Sequence, residues 1–153
     1  MPDGKRKWLW AHEETVNLMA SPEVRMLDRE WYKYPGFECY EAGMKRIQRE
    51  TDHLMESLGY QHDYSRNGYR PVKPNDDRIA LFAHEGFGAA FLSCLLDIPY
   101  PLYANRFRMS HSGMTVIEFP NDEIVIPRVL QESNDSHLFA AGIPTNYQNR
   151  IYF

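Results

Sequence analysis

The sequence predicts an α/β fold in which a mostly parallel sheet is flanked by helices. The first observation is a short apolar run at 79–83, bounded by polar residues on one side and by Gly86 on the other. Such a run is typical of a strand covered on both faces. The second observation is a change of period, because apolar residues at three- and four-residue spacing predict a helix from Phe87 that stops at Pro99.

The composition is that of one domain spanning residues 1–153. The chain is 43% hydrophobic and 25% charged, which is enough apolar material for a single core. Its net charge of -4 argues against nucleic acid or an anionic membrane as the main partner. No apolar run is long enough to span a bilayer, and the basic start lacks the apolar segment of a signal peptide. We therefore expect a cytoplasmic location.

The chain before the central unit is predicted to be mainly helical. Residues 1–37 carry many charges and aromatic rings with little periodicity, and short helices are expected near 12–19 and 22–32. The strongest helix is predicted from Glu38, because apolar residues then follow one side until Gly59.

Two antiparallel pairs of strands are predicted on either side of the central unit. Asn67 and Gly68 lie between two aromatic-rich runs, which is the strongest short signal for a hairpin. Strands are also expected at 114–119 and 124–130, joined by a polar turn. Pro127 places the second of these at the edge of a sheet.

His84 is the first candidate functional residue, because it lies where the predicted strand ends and the helix begins. Ligands bind at this edge of α/β sheets, where helix N-termini present free N–H groups and a partial positive charge. Gly86 and Phe87 open the helix, and a glycine there allows a ligand to approach the backbone closely. An anion is the natural ligand. The alternative is a core histidine whose ring nitrogens are satisfied by the backbone.

A basic cluster of Arg106, Arg108 and His111 follows the helix. It is either a phosphate clamp or a solvated surface group. The aromatic residues of segment 100–107 suggest that the ligand also has an organic part. The histidines lack metal-ligand spacing, and the glycines match neither a Walker loop nor a dinucleotide fingerprint. No metal and no cofactor are therefore expected.

The two cysteines give no disulfide framework. Cys94 lies on the apolar side of the predicted helix, where a free cysteine behaves as a small hydrophobe, and Cys39 has no obvious partner. A disulfide is not expected in this chain.

Four short motifs occur in a fixed order. They are Ala-His-Glu-Gly at 83–86, Leu-Leu-Asp-Ile-Pro at 95–99, Ser-Gly-Met-Thr-Val-Ile-Glu-Phe at 112–119 and Asn-Asp-Ser-His-Leu at 134–138. This pattern resembles the C-terminal half of the histidine phosphatase superfamily, the phosphoglycerate-mutase-like proteins. The resemblance covers 38–138 and implies an incomplete phosphoglycerate-mutase-like sandwich that acts, in complete form, on phosphomonoesters. His84 corresponds to the family's second histidine, which stabilises the transferring phosphoryl group.

The resemblance also implies roles for two carboxylates. Glu38 resembles the acidic helix start that often carries the proton donor to the leaving group. Glu85 stands where the family most often has a glycine. At intermediate dielectric its carboxylate would repel a phosphate about 4 Å away by on the order of a few kcal/mol. Alternatively, if protonated, it would serve as the general acid.

The family's Arg-His-Gly motif, which carries the phosphorylated histidine, does not occur in this sequence. We therefore expect a chain that lacks the family's N-terminal part, with 1–37 as a leading segment, 38–138 as the phosphatase-like half and 139–153 as a tail. Loss of the first strand predicts a homodimer that pairs the open strand edges or exchanges the N-terminal segment.

Three functions remain open at this point. The first is a histidine phosphatase relative that binds phosphomonoesters but is inactive for lack of the nucleophile. The second is a non-catalytic anion-binding or interaction module. The third is a truncated gene product with no selected function.

Overall fold

The computed structural model describes residues 13–143, and the predictions for residues 1–12 and 144–153 lie outside this range. The described helices are α1 (Glu13–Met19), α2 (Pro22–Arg25), α3 (Glu41–Ser57), α4 (Glu85–Leu95), α5 (Tyr100–Ala104) and α6 (Ser136–Ala140). The described strands are β1 (Tyr60–Asp63), β2 (Gly68–Pro71), β3 (Met114–Glu118) and β4 (Arg128–Asn134). Two 3-10 segments, Asp28–Lys33 and Glu38–Tyr40, precede α3.

The general α/β character is confirmed, but the sheets differ from the prediction. Strand β1 pairs with β2 and strand β3 pairs with β4, and both pairs are antiparallel. Between residues 13 and 143 no parallel pair of strands forms. The mostly parallel sheet expected from the sequence is therefore not seen in this part of the chain.

The predicted buried strand at 79–83 is wrong. The chain runs from 74 to 84 without a helix, turn or bend, and every residue from 76 to 84 is exposed. Phe82 is 94% exposed and Ile79 is 60% exposed. The physical reason is that no other strand of the described chain lies beside this segment to accept and donate its backbone hydrogen bonds. An apolar run without a neighbouring strand stays at the surface.

The helix predicted from Glu38 is confirmed, with a 3-10 turn leading into α3. Gly59 follows the end of α3 with a φ of +94°, a conformation that residues with a Cβ rarely adopt. Its carbonyl oxygen accepts hydrogen bonds from the N–H groups of Val72 and Lys73, at 2.9 and 3.1 Å. The end of α3 is thereby tied to the chain that leaves β2.

Both predicted hairpins form. The first turns at Asn67, which has a φ of +49° as expected for an Asn-Gly turn. Strand β4 starts later than expected, directly after Pro127, since proline has no N–H to donate to a ladder. The residue two positions earlier, Val125, instead exchanges two backbone hydrogen bonds of 2.8 Å with Tyr69 of β2. This bridge links the two hairpins.

The core is rich in aromatic rings and centres on Trp31. The rings of Phe37, Tyr40 and Tyr100 lie 5.6–5.7 Å from the Trp31 ring, measured between centroids. Trp31 is 1% exposed, so this cluster joins the N-terminal segment to α5. A further part of the core lies between α3 and α4, where Met55, Ala89, Ala90, Leu92 and Leu95 are buried. None of the described helices is both long enough and apolar enough to cross a membrane.

Candidate functional site

The N-terminus of α4 is an exposed helix start with a histidine at its cap. His84 has the extended backbone of an N-cap residue, with φ -79° and ψ 153°, and its side chain makes no capping hydrogen bond. The residue is exposed, so the interpretation of His84 as a core histidine is wrong. The N–H groups of the first turn, including those of Glu85, Gly86 and Phe87, have no acceptor within the helix. They form the positive end of the helix dipole.

Arg108 approaches the same helical turn from the chain after α5. One of its guanidinium nitrogens lies 3.9 Å from Oε1 of Glu85. The arginine side chain is 62% exposed, and an exposed ion pair at this distance contributes little to stability. Its guanidinium is therefore free to leave Glu85 for a stronger acceptor.

A shallow pocket of about 20 Å³ lies between these groups. It is lined by Glu85, Gly86, Ala89, Tyr100, Ala104, Phe107 and Arg108. Burial raises the pKa of Tyr100 to about 12, so its hydroxyl stays protonated at neutral pH and is able to donate a hydrogen bond. The sequence indicated only an aromatic segment here, and the placement of Tyr100 beside Arg108 depends on the fold.

For four of the predicted site residues, all within the described range, the structure shows no side-chain hydrogen bond or ion pair with Glu85 or Arg108. The Phe87 ring stacks on Phe91 at 6.0 Å and is about half exposed. The Arg106 guanidinium donates to the carbonyl oxygen of Leu102 in α5, at 3.1 Å. The remaining two are Glu38 and His111.

Glu38 instead stabilises a turn. Its carboxylate accepts a hydrogen bond of 2.9 Å from the N–H of Gly36. His111 is exposed on the chain that leads into β3. The structure therefore brings Arg108 to Glu85 and Gly86 at the start of α4, directly after His84 in the chain. It shows no hydrogen bond or ion pair between Glu38 and these described residues.

A second polar cluster, which the sequence does not indicate, surrounds the buried side chain of His62. Nδ1 of His62 is 2.8 Å from Oδ1 of Asp52, and Nε2 is 2.9 Å from Oδ2 of Asp97. Burial alone would lower the pKa of His62, but hydrogen bonds to the two carboxylates outweigh it and raise the pKa to about 9. The ring therefore carries a proton on each nitrogen at neutral pH.

Arg29 and Tyr64 complete this cluster. The Arg29 guanidinium lies 2.9 Å from Oδ1 of Asp97 and donates to the side-chain oxygen of Asn67 at 2.6 Å. The same guanidinium lies over the Tyr64 ring, and the Tyr64 hydroxyl donates to Asp52. We call these five residues, Arg29, Asp52, His62, Tyr64 and Asp97, the His62 network. Their ionic groups are paired with one another, which indicates a structural role.

A small cleft of about 30 Å³ borders the His62 network. Arg29, Trp31, Cys94 and Asp97 are among its lining residues. Burial raises the pKa of the Cys94 thiol to about 11, so it is no nucleophile at neutral pH. Among the residues that the structure describes, no group of three histidine, cysteine or carboxylate side chains is arranged to hold a metal ion.

Comparison of the chain with protein-family models, with curated proteins and with solved structures finds no match. The relationship to histidine phosphatases therefore depends on the four sequence motifs alone, and it stays a prediction.

Proposed function

We propose that this chain is a relative of the histidine phosphatases that binds the phosphate group of a phosphomonoester at the N-terminus of α4. The observation that carries the proposal is the position of His84. This exposed side chain lies at the positive end of an 11-residue helix and makes no capping hydrogen bond. A phosphate at that point would meet the free N–H groups of the first turn, and helix N-termini favour anions for this reason.

Arg108 is the group that we expect to hold the bound phosphate. A phosphate dianion presents several acceptor oxygens, and a guanidinium binds such a group with two parallel hydrogen bonds. Its present partner, the carboxylate of Glu85, is 3.9 Å away, and an exposed pair at that distance is a weak competitor. Tyr100 also lines this pocket, and its protonated hydroxyl is a further neutral donor that we expect to reach the phosphate.

We expect binding without appreciable turnover. In the family that the motifs resemble, hydrolysis proceeds through a phosphorylated histidine in an Arg-His-Gly motif, and this sequence has no such motif. His84 corresponds to the residue that stabilises charge on the transferring phosphoryl group, which is not the nucleophile. The proposed function is therefore phosphate recognition.

Calorimetric titration with inorganic phosphate and with an aryl phosphate tests this proposal. We expect saturable binding that weakens about tenfold or more in His84→Ala and in Arg108→Ala, since a hydrogen bond to a charged group contributes about 1.5–3 kcal/mol. Arg128→Ala is the matched control, because Arg128 is 60% exposed and also pairs with a glutamate at the surface. No binding at millimolar phosphate would contradict the proposal. Hydrolysis of the aryl phosphate that is lost in His84→Ala would show an active enzyme instead.

A further inference from the structure

The segment before His84 is an exposed, unpaired stretch of apolar chain. Residues 78–83 make no backbone hydrogen bond to any other residue that the structure describes. Ile79, Leu81 and Phe82 are 60%, 53% and 94% exposed. A chain segment with free N–H and C=O groups and apolar side chains is a template for pairing with another chain.

We propose that two copies of this chain pair antiparallel through residues 76–84, across a two-fold axis. A self-complementary interface of this kind is the commonest way in which a chain assembles with itself. Directly opposed residues in an antiparallel pair have side chains on the same face. One residue therefore faces its own copy, and the two-fold axis passes midway between the two. The choice of that residue fixes the whole register.

Charge selects Ala80 as this central residue. With Ala80 facing its copy, Arg78 lies opposite Phe82, and Asp76 lies opposite His84. A guanidinium over an aromatic ring and a carboxylate beside an imidazole are both favourable contacts. On the other face Ile79 lies opposite Leu81, so two of the exposed apolar side chains cover each other.

The neighbouring register is disfavoured by charge. With Leu81 facing its copy, Arg78 would lose its contact with Phe82, and Asp77 would lie opposite Glu85. Like charges directly opposite each other destabilise a strand pair.

In the other neighbouring register, with Ile79 facing its copy, Arg78 would lie opposite Ala80, and within residues 76–84 no cation would face a carboxylate or an aromatic ring. Of the three registers, the Ala80 register alone pairs complementary groups within this segment, which is why a second copy is the occupant that fits.

This pairing adds a residue to the site at α4. It places Asp76 of one copy beside His84 of the other, so each helix start would have a carboxylate from the second copy next to its histidine. Like the carboxylate of Glu85, this carboxylate would repel a phosphate at the helix start, so dimer formation would weaken phosphate binding without requiring it. Calorimetry tests the phosphate site and cross-linking tests the dimer, so either proposal is able to fail without the other.

Cysteine cross-linking tests the register. In a chain with Cys39→Ser and Cys94→Ser, we expect Ala80→Cys to form an intermolecular disulfide on mild oxidation. Residues that face each other in an antiparallel pair have Cα atoms about 4.5–5.5 Å apart, within the range that a disulfide spans. Leu81→Cys is the matched control and should cross-link to an Ile79→Cys chain but not to itself. Equal self-cross-linking at both positions, or none at Ala80→Cys, would overturn the proposal.

Light scattering of the unaltered chain gives an independent readout. We expect a particle of twice 18.0 kDa. Ala80→Pro should convert it to a monomer with an unchanged circular dichroism spectrum, because proline removes a central N–H that has no backbone hydrogen bond in the described monomer. A particle of 18.0 kDa at high protein concentration would overturn the proposal. The exposed segment would then be available to a protein of another sequence.

Discussion

Nε2 of His62 lies 2.9 Å from Oδ2 of Asp97, although the two residues are 35 positions apart in the chain. His62 is on β1 and Asp97 follows α4, so this contact fixes the first hairpin against the end of the helix that begins at His84. The His62 side chain is 3% exposed and the Asp97 side chain 6%. A charged histidine with this little access to water is stable only because carboxylates face both of its nitrogens.

The first prediction concerns the pH dependence of stability. The pKa of His62 rises from 6.5 to about 9 on folding, so its contribution is complete below pH 6.5 and is lost as the pH rises through 9. We expect the free energy of unfolding to fall by about 3 kcal/mol across this interval. Chemical denaturation on both sides of the interval measures the change.

The control for this prediction separates His62 from other groups. His62→Gln should be less stable at neutral pH and should lose most of the pH dependence between 6.5 and 9. His53→Gln removes a histidine that is 63% exposed and should keep the dependence. Equal slopes in the unaltered chain and in His62→Gln would contradict the assignment.

The second prediction concerns the hydroxyl of Tyr69, which donates a buried hydrogen bond of 3.0 Å to the carbonyl oxygen of Leu95. Tyr69→Phe keeps the ring stacked on His62 and removes only this bond. We expect a loss of about 1–2 kcal/mol in the free energy of unfolding. Tyr60→Phe is the comparison, because the Tyr60 hydroxyl has no hydrogen bond to a described residue, and its effect should be smaller.

The third prediction concerns Gly59, where the end of α3 turns into β1. A Cβ on Gly59 would overlap the backbone carbonyl oxygen of Lys73, and the φ of +94° is itself unfavourable for other residues. Gly36 has a similar φ of +93° but open space around it. Gly59→Ala should therefore destabilise the fold by more than Gly36→Ala does. We expect about 1–2 kcal/mol from backbone strain alone at Gly36, and a larger loss at Gly59. Equal losses would show that the overlap with Lys73 has no effect.

These elements also show which parts of the fold are readable from sequence. The end of α3 at Gly59 and the turn at Asn67 were predictable, because each depends on a backbone conformation that few residues adopt. The start of α4 was placed within two residues, since its apolar period is local. The prediction of a buried strand at 79–83 is wrong because apolar composition does not reveal whether a neighbouring strand exists.

The candidate site was predictable only in part. His84 and Gly86 are candidates because they mark the start of a helix, and Arg108 is a candidate because it is a cation close by in sequence. The placement of Arg108 on Glu85 depends on how α5 packs on α4. The His62 network was not predictable from the sequence, because Asp52, His62 and Asp97 lie far apart in the chain and meet only in the folded structure.

The fourth prediction concerns Glu85, whose carboxylate lies at the proposed phosphate site. Glu85→Gln removes a like charge beside the bound phosphate, and two unit charges about 4 Å apart in water interact by about 1 kcal/mol. We expect phosphate to bind about fivefold more tightly to this variant. Glu118→Gln is the matched control, because it removes the same charge from another exposed arginine pair, far from α4 in the chain. Unchanged or weaker binding in Glu85→Gln would show that the carboxylate does not face the ligand.

The central claim is that phosphate binds at the first turn of α4. Its most direct measurement is a titration with inorganic phosphate followed by the backbone amide resonances of residues 85–87. We expect these amides to shift saturably in the unaltered chain, with affinity reduced about tenfold or more in Arg108→Ala and unchanged in Arg128→Ala. Amides that do not shift at millimolar phosphate, in a chain whose spectrum is that of a folded protein, would contradict the claim.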